Sequence, residues 1–496
     1  MVRKVSFVRF SLLCALCLIA AASFGARPAF AAGVVGNGTA ASCTETALDT
    51  ALAGGGSVTF NCGSGTVVIV LTTNKQPASD TTIDGGNRIV LKAPNIFHFL
   101  VNPGITLVLK NIRLIQGNSA GGGSVHNYGT LKAISVTFHN NQSPDYGGAI
   151  YNEGTVIAKK SIFTKNRAVY AGGAIYNNGG NVTIKASTLA SNRVTNASAT
   201  GGAVANQDGD VRIIGSTLNN NRGDEGGAFW TQYNSTNTLK NSTLSNNKGN
   251  NGAGLENFGG IEVVNSKIIN NIATIQGGGV YHGGFMSISK STISGNKANL
   301  GGGMRDFGNS TDIQQSTFSG NQATTHGGGI YTSAALGVRN STFSGNSAGA
   351  GSFGGAIFAY NNDITLEYVT VANNSAPTYG GVYSDGVSNA SIYMQNTALS
   401  NNANGNCGGA TILSGGYNLS SDNSCMSAFN QTGDKNNKVA KLGALANNGG
   451  PTQTHLPLAG SPLINKGFTD NHITTDQRGF PRPVGVKADI GAVEVQ

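Results

Sequence analysis

The chain has 496 residues, 73 of them glycine; only 11% are charged and the formal net charge is +9. No run of Lys or Arg concentrates that excess, and Arg3, Lys4, Arg9 and Arg27 all fall in the first 31 positions, so charge gives no reason to expect nucleic acid or an anionic membrane as a partner. Beyond those positions no apolar stretch reaches the length of a membrane span, and solubility rests on neutral Gly, Asn, Ser and Thr.

In chain order, basic Arg3, Lys4 and Arg9, an apolar run from Phe10 to Gly25 and Ala29-Phe30-Ala31 have the three-part form of a secretory signal over residues 1–31. The protein is therefore expected outside the cell or on its surface. Cys14 and Cys17 leave with the signal. The four cysteines that remain fall into two local pairs, Cys43 with Cys62 and Cys407 with Cys425, which in an exported chain read as disulfides stapling the two ends. None has the Cys-x-x-Cys spacing of a zinc or redox site. Residues 42–56 read as a short amphipathic helix ending at Gly54, placed to cover the open edge of the first coil. Residues 32–118 thus form an N-terminal cap and irregular first coils.

Regular repeats occupy 119–402. One motif is Gly-Gly-small-apolar, with its apolar residue at Val125, Ile150, Ile175, Val204, Phe229, Leu255, Val280, Met304, Ile330, Ile357 and Tyr383, at steps of 24 to 29 residues. The other is apolar-x-x-Asn, running from Ile115/Asn118 through Phe138/Asn141 and Phe163/Asn166 to Leu399/Asn402. Between them lie short alternating runs such as Val182–Lys185, which are strands, and no stripe of helical period. The units are all-β. One unit of about 25 residues cannot bury its apolar face alone, but stacked as coils the units share a continuous core. The expected fold is a right-handed parallel β-helix of roughly 15 coils, a rod about 70 Å long. In it the Asn residues take left-handed corner positions with amides bonded up the rod, and the paired glycines supply positive φ and close backbone approach.

Gly147-Gly148-Ala149-Ile150 and Phe163-Thr164-Lys165-Asn166 resemble the repeats of bacterial polymorphic outer-membrane proteins, and variants cover residues 115–402. That resemblance implies a pectin-lyase-like β-helix and a role as adhesin or surface antigen; the membrane β-barrel that ends those proteins has no counterpart here. Residues 403–496 are expected to cap the far end. Within them Leu442 to His455, Gly460 to Asn465, Asp476-Gln477-Arg478-Gly479-Phe480-Pro481-Arg482-Pro483 and Asp489 to Ala492 resemble the choice-of-anchor Q region of bacterial surface β-helix proteins. This second resemblance implies a cell-surface location, with release or non-covalent retention, since no sorting tail follows.

Period-two alternation turns the residue after each Gly-Gly-small-apolar motif outward. That column reads His126, Tyr151, Tyr176, Ala205, Trp230, Glu256, Tyr281, Arg305, Tyr331, Phe358. Its aromatics, Tyr151, Tyr176, Trp230, Tyr281 and Tyr331 above all, are candidates for stacking on the sugar rings of an extracellular polysaccharide or surface glycoconjugate. A threonine column (Thr137, Thr188, Thr217, Thr243, Thr292, Thr317, Thr342, Thr370) reads as structural. For catalysis the candidates are Glu256 and Arg305, as in a pectin-lyase-like lyase or glycoside hydrolase, while alternation points neighbouring His282 and Asp306 inward. Asp145, Glu225 and His326 read as solvated turn residues. Neither a metal site nor a cofactor is expected, and the rod is expected to be monomeric. The leading reading is a non-catalytic adhesin or glycan-binding scaffold.

Overall fold

A computed structural model describes residues 33–387 and 390–496; the signal-like residues 1–31, with Cys14 and Cys17, lie outside the described part. Short strands rich in β-branched and aromatic residues, broken by Gly and Asn, leave the chain one way to satisfy its backbone, which is to pair each strand with its equivalent one coil later. The result is a parallel β-solenoid of about 15 turns in which 40 strands form one continuous sheet. A representative coil contains Ile150–Asn152, Thr155–Lys159, Ile162–Thr164 and Arg167–Ala168. Its strands pair in parallel with Ile175–Lys185, Thr188–Ala190 and Arg193–Val194 of the next coil, residue against equivalent residue. Identical residues therefore stack in columns. Inward columns make the core: the Phe138 and Phe163 rings stack with centroids 4.6 Å apart and those of Phe318 and Phe343 at 5.1 Å, all fully buried.

Three buried polar ladders turn the corners. In the first, Asn141, Asn166, Asn192 and their successors to Asn402 are buried, and from Asn166 on each carboxamide oxygen accepts both the backbone N–H and the Nδ2 of the Asn one coil earlier, at 3.0 and 3.0 Å from Asn141 to Asn166. Each Nδ2 also donates to a carbonyl, as Asn166 does to Phe138 at 3.1 Å. The left-handed residue is the one before the ladder Asn, not the Asn itself: Asn140, Lys165, Ser191 and Asn220 have φ of 54°, 56°, 56° and 54°. A corner that small polar residues or glycine can turn frees the Asn side chain to point inward. The ladder starts one coil later than the motif count implies. Strand register pairs Leu114, not Ile115, with Phe138, so Gly117 occupies the ladder position and Asn118 is exposed. At the other end Val382 is the inward residue and Tyr383 belongs to the outward column, because Gly380-Gly381 is followed by one residue fewer than in the preceding coils.

In the second ladder, the backbone N–H of Ser161 donates to Ser187 Oγ at 3.0 Å and that of Ser187 to Ser216 Oγ at 3.1 Å, a pattern that reaches Ser341. The third joins Asn127, Asn152, Asn177, Asn206 and Asn237 through amide bonds of 2.6 to 2.9 Å. At the Gly-Gly corner the two glycines have different reasons. Gly172 has φ of +63°, whereas a Cβ on Gly173 would collide with the carbonyl of Gly202 in the next coil.

At the start of the rod α1 (Glu45–Ala53) is capped by Thr44, whose hydroxyl accepts from Ala47 N at 3.2 Å, and it buries Leu48, Ala51 and Leu52 over the first coil. Lys75, 3% exposed, ties this helix to the coil through Glu45 at 2.6 Å and Asp49 at 2.7 Å. Burial raises the Glu45 carboxyl, but Lys75, Thr72 and two backbone N–H groups outweigh it and hold the group down at about 2. Both expected disulfides are present, Cys43–Cys62 and Cys407–Cys425.

Past Asn402, three more short strands, Cys407–Gly409, Ile412–Ser414 and Leu419–Ser420, extend the sheet. Residues 441–496 then do something an end cap does not: they run back along the side of the rod. Thr317 Oγ1 donates to the Gln453 carbonyl and Thr342 Oγ1 to Gln477 Oε1, each at 2.6 Å, and the Ala492 N–H reaches Thr370 Oγ1 at 3.0 Å. This strap buries Thr317, Thr342 and Thr370, so the threonine column is closed over its last coils.

Candidate functional site

The outward column exists as one uninterrupted register. Strand pairing stacks His126, Tyr151, Tyr176, Ala205, Trp230, Glu256, Tyr281, Arg305, Tyr331, Phe358 and Tyr383 on successive coils. Its exposure differs from expectation. Tyr151, Tyr281 and Tyr331 are half-buried, but Tyr176, Trp230 and Phe358 are buried at 8%, 7% and 5%. For Tyr176 and Phe358 the cause is a second tier of rings supplied by the turns, whereas Trp230 packs with Ala171, Tyr176 and Ala205. Tyr146 stacks on Tyr176 at 4.7 Å, Phe307 packs against Tyr281 at 4.7 Å, and Phe353 stacks on Tyr383 at 4.4 Å. The site is therefore a band three residues wide rather than a single column: Tyr176 and Trp230 form its floor, and exposed Tyr128, Tyr146, Tyr170, Tyr233 and Tyr360 its rims. The rim tyrosines carry no repeat signal because they sit in turns of variable length. Polar groups are fixed among the rings. Tyr151 donates to Glu153 Oε1 at 2.6 Å and accepts from Asn178 Nδ2 at 3.1 Å, and burial followed by Glu153 pushes its hydroxyl well above the usual range.

Glu256 and Arg305, expected as outward neighbours, do not meet, because Tyr281 occupies the coil between them. The Arg305 guanidinium lies 4.5 Å from the Tyr331 ring centre and 5.5 Å from that of Phe307, and donates to the Asp306 carbonyl at 2.5 Å and Ser333 Oγ at 3.1 Å. Glu256 is 1% exposed and its Oε2 has no partner. Its neighbour is Glu225, which is part of this site rather than a solvated turn residue and accepts from Asn251 Nδ2 at 2.9 Å. Burial, then the charge of Glu225 and a hydrogen bond with it, hold the Glu256 carboxyl well above the carboxylate range. His326 is also no solvated residue, since it stacks at 4.7 Å on Phe358.

His282 and Asp306 point inward as alternation requires, both fully buried in the third corner ladder. Asn257 bonds His282 Nδ1 at 3.1 Å, and Asp306 accepts from Gly308 N at 3.1 Å and Thr332 Oγ1 at 3.2 Å. Burial takes His282 down to about 4 and Asp306 up to about 6. Both are corner residues shut off from the surface. Among the described residues no three His, Cys, Asp or Glu side chains converge as metal ligands, and no helix is long and apolar enough to cross a membrane.

The motif that resembles choice-of-anchor Q is a buried clasp within the strap. Asp476 pairs with Arg478 Nε at 2.9 Å and accepts N–H groups of Arg478, Phe480 and Glu494. Arg482 pairs with Glu494 at 3.1 Å, donates to Asn340 Oδ1 at 2.9 Å and lies 4.3 Å from the Tyr368 ring centre.

Residues 135–153, 160–178 and 315–333 match the repeat of Chlamydia polymorphic membrane proteins. Each matched segment runs from just before the Asn corner through the Gly-Gly corner and ends on the outward strand, so it includes Tyr151, Tyr176 or Tyr331. No curated protein and no solved structure matches the chain.

Proposed function

We propose that this chain, a β-solenoid carrying repeats of the Chlamydia polymorphic membrane protein kind, is an adhesin-like scaffold that binds glycan outside the cell along its aromatic band. The observation that carries the reading is the band itself: rings meet on neighbouring coils, Tyr151 with Tyr176 at 5.6 Å and Tyr331 with Phe358 at 4.9 Å, with half-buried Tyr151, Tyr281 and Tyr331 and exposed tyrosines at the rims. Such rings offer apolar faces to sugar C–H groups and hydroxyls at their edges. The signal-like N-terminus supports export, and the repeat match supports a surface setting. The test is retention of the purified protein on immobilised plant, microbial and host polysaccharides, scored beside the appearance of reducing or unsaturated ends. Retention without release is the expected result.

One observation favours a second reading, a polysaccharide lyase or hydrolase: Glu225 and Glu256 form a carboxyl pair within the same band, and a carboxyl held protonated is a potential general acid. Against it, Glu256 is sealed between Trp230 and Tyr281, where no substrate atom reaches it. Sugar release that disappears in Glu256→Gln would establish this second reading in place of the first.

A further inference from the structure

Although the sequence contains no cluster of basic residues, the fold builds one. Parallel pairing places Arg167 beside Arg193, Arg193 beside Arg222 and Arg222 beside Lys248, on four consecutive coils of the short face that precedes the Gly-Gly corner. Arg193, Arg222 and Lys248 are exposed and Arg167 is half-exposed. Like charges directly opposite on neighbouring strands repel, yet none of the four forms an ion pair among the described residues. Arg167 Nε is buried with no partner, and its Nη2 has only a 3.4 Å contact to Thr195 Oγ1. Lys165 adds a further exposed cation, and a groove of about 280 Å³ lies between Lys165, Arg167 and Arg193. The positive field is felt nearby: burial first, then the charges of Lys165 and Arg113, push His139 below its usual range. Of the acids that follow Arg222, Asp224 accepts the Ser198 N–H at 3.0 Å and Glu225 accepts from Asn251 Nδ2 at 2.9 Å.

We infer that this row is a binding site for an extended acidic polysaccharide, with one cation per coil meeting successive carboxylates or sulfates of the sugar chain. The strand spacing of about 4.8 Å is close to the length of one sugar residue, so an extended uronate chain lying along the rod presents its charges nearly in step with the coils. Three of the four cations are arginines, whose planar forks fit carboxylate and sulfate with paired hydrogen bonds. Single-stranded nucleic acid, the other linear polyanion, is held through rings that stack its bases. Besides the cations, the groove is lined by Asn140, Gln142 and Ser191, with no ring among them. This site uses none of the residues of the aromatic band and stands without the function proposed above.

The test is the salt concentration that elutes the purified protein from immobilised polygalacturonate, compared with neutral dextran and with single-stranded poly(dT). Wild type is expected to bind polygalacturonate at low salt, to elute earlier from poly(dT), and to pass through dextran. Arg193→Glu/Arg222→Glu, at exposed positions that leave the fold intact, should weaken polygalacturonate binding at least about tenfold and flatten its salt dependence by about two charges. Lys438→Glu/Lys441→Glu, an equal charge change elsewhere, should bind as wild type. Unchanged binding by the arginine variant, equal loss in the Lys438/Lys441 control, or elution from poly(dT) at equal or higher salt would each overturn the inference.

Discussion

Asn271 accepts two hydrogen bonds from Asn247 and gives its own Nδ2 to Leu244 O and Asn296 Oδ1, all without access to water. Asn271→Ala leaves two donors of Asn247 buried and unpaired, at about 1–3 kcal/mol each. We expect a loss of at least about 2 kcal/mol in chemical denaturation, against nearly none for exposed Asn118→Ala, which lies outside the ladder. Glu256 gives a prediction with a definite sign. Its folded-state pKa lies above its unfolded value of 4.5, so the folded state binds more protons and stability falls as pH rises from 4.5 through the raised value. Glu256→Gln removes that loss: its melting temperature should match wild type near pH 4 and exceed it increasingly toward pH 8. A constant difference across that range would mean that Glu256 is not held protonated by its burial and by Glu225.

At the scale of elements, the strap of residues 441–496 is held by ion pairs that exclude water. Arg482→Met strands the fully buried Glu494 carboxylate, a loss of about 3–5 kcal/mol. Because a solenoid unit contacts mainly its neighbours, the loss should be local. Limited proteolysis of this variant should release a fragment from the region after 440 while the rod survives; simultaneous digestion of the rod would show instead that the strap and the coils unfold as one unit. The strap was not legible in the sequence, because nothing in Thr317, Thr342 or Thr370 says that a segment over a hundred residues later will cover them. The coils were legible for the opposite reason. A nearly constant period with residue-for-residue pairing turns sequence position directly into spatial column, so the inward residues, both glycine roles and the outward column can be read from spacing alone. Where a coil gains or loses a residue, as at Ile115 and Tyr383, the reading slips by one and reverses the face. The Ser ladder was missed because serine is common in turns, and the Glu225–Glu256 pair because its members lie 31 residues apart on different coils.

For the whole molecule, columns make a rod with two chemically distinct stripes: a band of rings rimmed by hydroxyls, and a row of unpaired cations. Neither resembles an enclosed active site, and both repeat at the coil spacing, so affinity should grow with ligand length until the stripe is filled and then level off. The measurement that bears most directly on the central claim is retention on immobilised polysaccharide by wild type and by Tyr151→Ala/Tyr281→Ala/Tyr331→Ala, with soluble product assayed in the same samples. We expect wild type to be retained with no product, and the triple variant, still folded by its melting curve, to lose at least about tenfold in affinity, or about 1.4 kcal/mol. Retention unchanged in the folded triple variant would contradict the account, because the aromatic band would then not be the surface that holds the glycan.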